Sequence, residues 1–148
     1  MKSELKMIQV TSHPHIVPVI ELLQDKQSIA IASEICKGGD LYNRLQKVSR
    51  FSEKDTAYMI MQLLKALNYL HKINIVHRDL KPQNILLDSS DPKSLEIRVT
   101  DFGFSCLFNP KEGLDLKLGT KMFMSPELVR RQTYNEKVDI WSVGVIVY

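Results

Sequence analysis

Five residues able to do chemistry stand at fixed offsets in one stretch, HRDLKPQN at 77–84. Asp79 can accept a proton, and Lys81, two residues on, can neutralise charge on an anion. Asn84 offers a hard oxygen, and so does Asp101 of DFG at 101–103. Hard oxygens suit Mg²⁺, which takes few protein ligands and completes its shell with phosphates and waters. SPE follows at 125–127, with Gly119 and Thr120 just before it. Taken singly, His-Arg-Asp is an ordinary surface turn and Asp-Phe-Gly an ordinary loop. At about one residue type in twenty, five fixed positions match by chance on the order of once in a few million starts. The set therefore asks for one explanation.

Rigid elements must hold such a set in place. The clearest is a helix over residues 53–72, where Ile60, Leu63, Leu64, Leu67, Leu70 and His71 recur at helical spacing. Ser52 followed by Asp55 reads as a capping box at its start. INIVHRDLKPQNILLD reads as short strand, loop and short strand, and LEIRVTDFG as a strand entering a turn. Upstream, residues 1–11 read as a helix end, HPHIVPVIELL as loop and strand, and QSIAIASEI as a second strand. KGGD reads as a turn, and residues 40–48 have helical spacing. Residues 104–124 read as an irregular loop and 125–131 as a short helix. Residues 138–148 suit a strand or a wholly buried helix equally well.

The motifs, in this order and at these distances, resemble the eukaryotic protein kinases over essentially all 148 residues. That resemblance implies an α+β, kinase-like two-lobe fold, held in part. Residues 1–35 would be the remainder of the small lobe with the hinge. Residues 36–148 would carry the catalytic loop and activation segment of the large lobe. It also implies ATP and Mg²⁺ as cofactors and a protein as substrate. Asp79 would orient the acceptor hydroxyl and take its proton, and Lys81 would neutralise the moving phosphate. Asn84 and Asp101 would hold metal, with Phe102 packed inward behind Asp101.

The resemblance carries further, residue by residue. Glu4, nine residues before His13, stands where the family has the helix glutamate that pairs with a strand lysine. Ser33 falls at the gatekeeper position, where a small residue opens space behind the adenine. Glu34 and Cys36 fall in the hinge, Asp40 near the ribose, and Leu86 under the adenine ring. Asp139, in an apolar run, would cap backbone N–H groups of the catalytic loop. Lys81 with Thr120 resembles serine/threonine rather than tyrosine kinases. KGGDLY, LGT and YNEKVDIWSVGVIVY are similar to the calcium/calmodulin-dependent and calcium-dependent kinases.

Departures from the pattern carry their own expectations. No three of the 6 glycines make G-x-G-x-x-G, and no strand lysine precedes Glu4. The chain is therefore expected to be part of a domain, inactive alone, since losing preorganised charge contacts costs about 10²–10³ in rate. Between Ser105 and Thr120 there is no Ser, Thr or Tyr. Regulation is expected from a calcium-sensing or autoinhibitory segment outside this chain. Arg78, lacking a loop phosphate, is expected to meet Glu112 or Asp115.

Composition narrows the classes. Apolar residues are 44% and charged residues 25%, as in ordinary folded domains. A net charge of +3 predicts neither nucleic-acid nor membrane binding. Cys36 and Cys106 form no metal spacing or disulfide framework, which favours a reducing compartment, the cytoplasm or the nucleus. No stretch has the roughly 18–20 apolar residues of a membrane span. The reading is a serine/threonine protein kinase. A non-catalytic kinase-like binding module is the alternative, favoured by the missing glycine loop and opposed by the intact HRD, Lys81, Asn84 and DFG.

Overall fold

The computed structural model describes residues 11–25 and 28–148. The helix read over residues 1–11, apart from Thr11, which is not helical, and the site reading for Glu4 therefore lie outside the described residues. Strands β1 (Val19–Gln24) and β2 (Ile29–Ser33) pair antiparallel, followed by helices α1 (Leu41–Val48) and α2 (Glu53–Lys72). Strand β3 (Ile75–Val76) leads into the loop that carries His77–Asn84, with a 3₁₀ turn at Pro82–Asn84. Strands β4 (Ile85–Leu87) and β5 (Ile97–Val99) pair antiparallel. Strand β6 (Cys106–Leu107), a second 3₁₀ turn at Lys121–Phe123, and helices α3 (Pro126–Val129) and α4 (Lys137–Val147) complete the order.

Helix α2 forms because its 20 residues contain no Gly or Pro and its ends are capped. The Ser52 hydroxyl accepts the Asp55 N–H at 3.1 Å, with Glu53 and Asp55 in the first turn and His71 and Lys72 in the last. Both charge placements complement the helix dipole. Its buried seam runs through Met59, Gln62, Leu63, Ala66, Leu67 and Leu70. That seam corrects the sequence reading in two places. Leu64 is turned to solvent at 41% exposure, because the seam is set one residue earlier than the leucine pattern implied. Gln62, although polar, is buried. Its Nε2 donates to the Leu95 carbonyl at 2.9 Å and its Oε1 accepts the Ile97 N–H at 3.1 Å. One side chain thus ties α2 to the end of β5, and both polar atoms are satisfied.

The main core joins α2 to Ile85, Ile97, Val99, Phe102 and Val143. Ile16 bridges Val99, and the Val17 N–H donates to the Val99 carbonyl at 2.9 Å, which seats the segment before β1 on β5. A smaller cluster gathers Val76, Phe108, Leu128, Tyr134 and Val138. Within the loop read as irregular, Cys106–Leu107 adds a short strand against β3. The ambiguous end resolves as a helix: in α4, Val138, Asp139, Ser142 and Val143 are buried while Ile140 and Trp141 stay exposed. Packing on α2, not propensity, decides it, since β-branched residues lower helix preference only slightly. No helix among the described residues is long and apolar enough to cross a membrane.

The corrected seam has a measurable consequence. In the full-length protein, Leu67→Ala is expected to cost about 2–5 kcal/mol by urea unfolding. Leu64→Ala is expected to stay within about 0.5 kcal/mol. Equal costs would place Leu64 in the core after all.

Candidate active site

The loop after β3 makes few regular backbone bonds, so side chains hold it. Asp139 is fully buried and accepts three hydrogen bonds: His77 N–H and Arg78 N–H at 2.9 Å each, and His71 Nε2–H at 2.8 Å. Arg78 takes φ of 67°, a region costly for a residue with a Cβ. His77, also fully buried, donates from Nε2 to the Thr100 carbonyl at 3.0 Å and packs its ring on Phe102 at 5.1 Å. These contacts fix the backbone immediately before Asp79.

Asp79 is 2% exposed, and both carboxylate oxygens are engaged. Lys81 Nζ donates to Oδ2 at 2.7 Å, and Asn84 Nδ2 donates to the same atom at 3.2 Å. Thr120 donates to Oδ1 twice, from its hydroxyl at 2.7 Å and its N–H at 2.8 Å. Lys81 also reaches the Thr120 hydroxyl oxygen at 3.1 Å. Burial is the largest influence on Asp79 and opposes its charge. The bonds from Lys81 and Thr120 together outweigh it and hold the carboxyl below its ordinary value. Thr120 can approach because Gly119 precedes it at φ of 113°, where a Cβ would lie 2.5 Å from the Arg78 carbonyl oxygen.

Asn84 and Asp101 are neighbours across the β4–β5 ladder, since the Thr100 N–H donates to the Asn84 carbonyl at 3.0 Å. Asn84 Nδ2 is spent on Asp79, including its carbonyl at 2.8 Å, which leaves Oδ1 as the atom able to ligate. Asp101 is exposed, sits at φ of 62°, and gives one oxygen to the Gly103 N–H at 3.3 Å. Phe102, buried behind it, sets the turn. Asn84 and Asp101, on backbone segments joined through Thr100, each offer a hard oxygen of the kind Mg²⁺ takes, and Mg²⁺ needs few protein ligands. No three His, Cys, Asp or Glu side chains converge on a metal position among the described residues.

Of the other sequence-derived positions, only Ser33 shares a cavity with Asp101 among the described residues. Ser33 and Asp101 line one cavity of about 230 Å³ together with Val19, Leu22, Ile31 and Phe102. Glu34 donates its N–H to the Pro18 carbonyl at 3.1 Å, and its carboxylate accepts from Arg98 at 2.9 Å. The Glu34 carbonyl and both backbone groups of Cys36 have no partner among the described residues. Burial pushes the Cys36 thiol up despite nearby Arg98. Leu86 points away from the core side of β4, stands opposite Arg98, and bridges Asp40. Both Asp40 carboxylate oxygens cap α1 through Asn43, at 2.7 and 2.6 Å.

Two expectations for this region change. Arg78 meets neither Glu112 nor Asp115: it donates to the Phe104 carbonyl at 2.6 Å and the Tyr134 hydroxyl at 3.3 Å. Burial favours these near neutral acceptors over exposed acids on the loop. The sequence marks Thr120 only as a subgroup residue, yet it makes two of the four bonds to the Asp79 carboxylate. The Gly119-Thr120 pair was its one signal.

A model of the protein kinase domain matches residues 1–148. The chain belongs to the protein kinase family. Its similarity extends to serine/threonine kinases. The kinase chain is 41% identical to a calcium/calmodulin-dependent protein kinase of Emericella nidulans, over 98% of this chain and 35% of that protein. It is 37% identical to a calcium-dependent protein kinase of Plasmodium falciparum, over 98% of this chain and 27% of that one. A probable serine/threonine-protein kinase of Dictyostelium discoideum is 37% identical, over 100% and 21%. The kinase chain thus spans about a fifth to a third of the length of these relatives. The resemblance read from the motifs, including the calcium-linked subgroup, agrees with these matches.

The sign of the Asp79 perturbation sets a pH dependence. A depressed carboxyl stabilises the fold fully above its unfolded value of about 3.9, and this contribution is lost as pH falls through the lower folded value. Lys81→Met removes the ammonium, so the Asp79 carboxyl is expected to titrate at higher pH. A carbon-13 NMR titration of the side-chain carboxyl reads this, and an unmoved titration would show that Lys81 does not hold the charge.

Proposed function

We propose that the full-length protein transfers the γ-phosphate of ATP to Ser or Thr hydroxyls of protein substrates, with Asp79 at the centre of the reaction. The observation that carries this reading is the Asp79 carboxylate held between Lys81 and Thr120 with Asn84 behind it. A carboxylate has about four acceptor positions, and all four are filled here. An incoming hydroxyl must therefore replace one donor. The Thr120 hydroxyl, neutral and on a short side chain, is the one that can turn away. Asp79 then orients the substrate oxygen toward the γ-phosphorus. The new O–P bond forms as the bond to the β–γ bridging oxygen breaks, ADP leaves, and the hydroxyl proton passes to Asp79. Its lowered pKa makes Asp79 a weak base, so orientation comes before proton transfer.

Lys81 lies 2.7 Å from Asp79 and can follow the charge as it moves onto the transferred group. Asn84 Oδ1 and Asp101 would hold Mg²⁺, which when bound neutralises the nucleotide phosphates. The Glu34 carbonyl and Cys36 backbone groups, without partners among the described residues, would meet an adenine edge, with Leu86 below and Ser33 at the rear. Asp40 would lie near the ribose. On this reading the chain divides at the hinge near residue 35. The calcium and calmodulin in the relatives' names support a calcium-sensing or autoinhibitory segment elsewhere in the protein as regulator.

Two experiments test the reading on the full-length protein. Asp79→Asn keeps the shape and removes the base, and labelled phosphate transfer from ATP to a Ser-containing protein is expected to fall about 10²–10⁴-fold. Full activity in that variant would sink the assignment. Ser33→Met puts a larger side chain into the cavity that Ser33 lines, so bulky adenine-site inhibitors are expected to lose potency with little change for ATP. Equal inhibition of both forms would remove Ser33 from the nucleotide site.

A further inference from the structure

Arg78 is a buried cation whose guanidinium meets neutral acceptors. It is 8% exposed, and it pairs with no carboxylate among the described residues. Its side chain donates only to the Phe104 carbonyl and the Tyr134 hydroxyl. A buried charge is costly unless its donors are satisfied, so these neutral acceptors matter.

Tyr134 is 5% exposed and grips the loop at two points. Its hydroxyl donates to the Leu116 carbonyl at 2.7 Å. Its backbone exchanges two hydrogen bonds with Leu114, each 2.9 Å. Burial, the largest influence, outweighs Arg78 and pushes the phenol up, so it remains a neutral hydroxyl at ordinary pH. It can then accept from Arg78 while donating to Leu116. Three residues beyond Leu116, Gly119 lies against the Arg78 carbonyl, and Thr120 bonds Asp79. Residues 106–119 offer no hydroxyl for a phosphate to occupy.

We infer that Tyr134 is a positioning residue whose hydroxyl ties Leu116 to Arg78 and so sets residues 114–120 over Asp79 without a loop phosphate. This rests on the phosphotransfer reading of Asp79 above. The site would be assembled by a fixed hydroxyl, and control would act elsewhere than on the loop.

The test uses the full-length protein and Tyr134→Phe, which keeps the ring and removes the hydroxyl. Amide hydrogen exchange over residues 114–118 is expected to rise about tenfold, the scale of one lost hydrogen bond to a charged group. The kcat for a protein substrate is expected to fall about tenfold, with the KM for ATP within about twofold. Phosphatase treatment of the wild-type protein is expected to leave its activity unchanged. Unaltered loop exchange in the variant, or activity lost on phosphatase treatment, overturns the inference. Should the variant fail to fold, the phosphatase result and the protection of the Leu114 amide in the wild type decide it. Exchange needs no turnover, so an inactive wild-type protein would sink the phosphotransfer reading while leaving Tyr134 to be judged by the loop.

Discussion

The Asp139 carboxylate is the point on which the rest of the site depends. An isolated carboxylate in a protein interior is costly, so its place is secured only by donors that converge on it. Here two of those donors are backbone N–H groups of the loop that carries His77 to Asn84, and the third is a histidine from α2. The same bonds that satisfy the carboxylate hold the loop. They also fix α4 against α2, which is why an apolar, β-branched end of the chain is helical. Arg78 can keep its positive φ because its N–H is anchored there and its side chain is held on the other side by Phe104 and Tyr134.

The Asp79 cluster follows from that anchoring. Four donor groups on three residues meet a nearly buried carboxylate: Lys81 and Asn84 from its own loop, and Thr120, twice, from a segment 41 residues away. Ionisation at this position is therefore a balance, in which burial works against the charge and the donors win. Asn84 supports Asp79 through its amide nitrogen, and its backbone carbonyl accepts from the Thr100 N–H, one residue before Asp101. The cavity behind Ser33 joins the β1–β2 hairpin to the DFG turn through Asp101 and Phe102.

Much of the site was legible without coordinates. HRDLKPQN, DFG and SPE name their residues by type and spacing, and Asp79, Lys81 and Asn84 do come together. Helix α2 was bounded by its cap and its unbroken periodicity, and Asp139 stood out as an acid in an apolar run. What the sequence hid were partners chosen by burial. Gln62 looks like a solvated residue until its amide is seen closing the gap between Leu95 and Ile97. Tyr134 looks like an ordinary aromatic until its hydroxyl is placed between Arg78 and Leu116. Glu112 and Asp115 looked suited to Arg78 by charge, but they lie exposed while the guanidinium lies inside.

Local residue order by itself determined the helices with caps, the short apolar strands and the spacing of the HRDLKPQN, DFG and SPE residues, because those depend on neighbours within a few positions. Tertiary structure alone decided the seam of α2, the helical state of residues 137–147, the short strand at Cys106–Leu107 and the partners of Arg78 and Thr120. These depend on which surfaces lose water against residues distant in the chain. A buried polar atom takes whatever donor or acceptor the fold brings to it, and no spacing rule along the sequence encodes that choice.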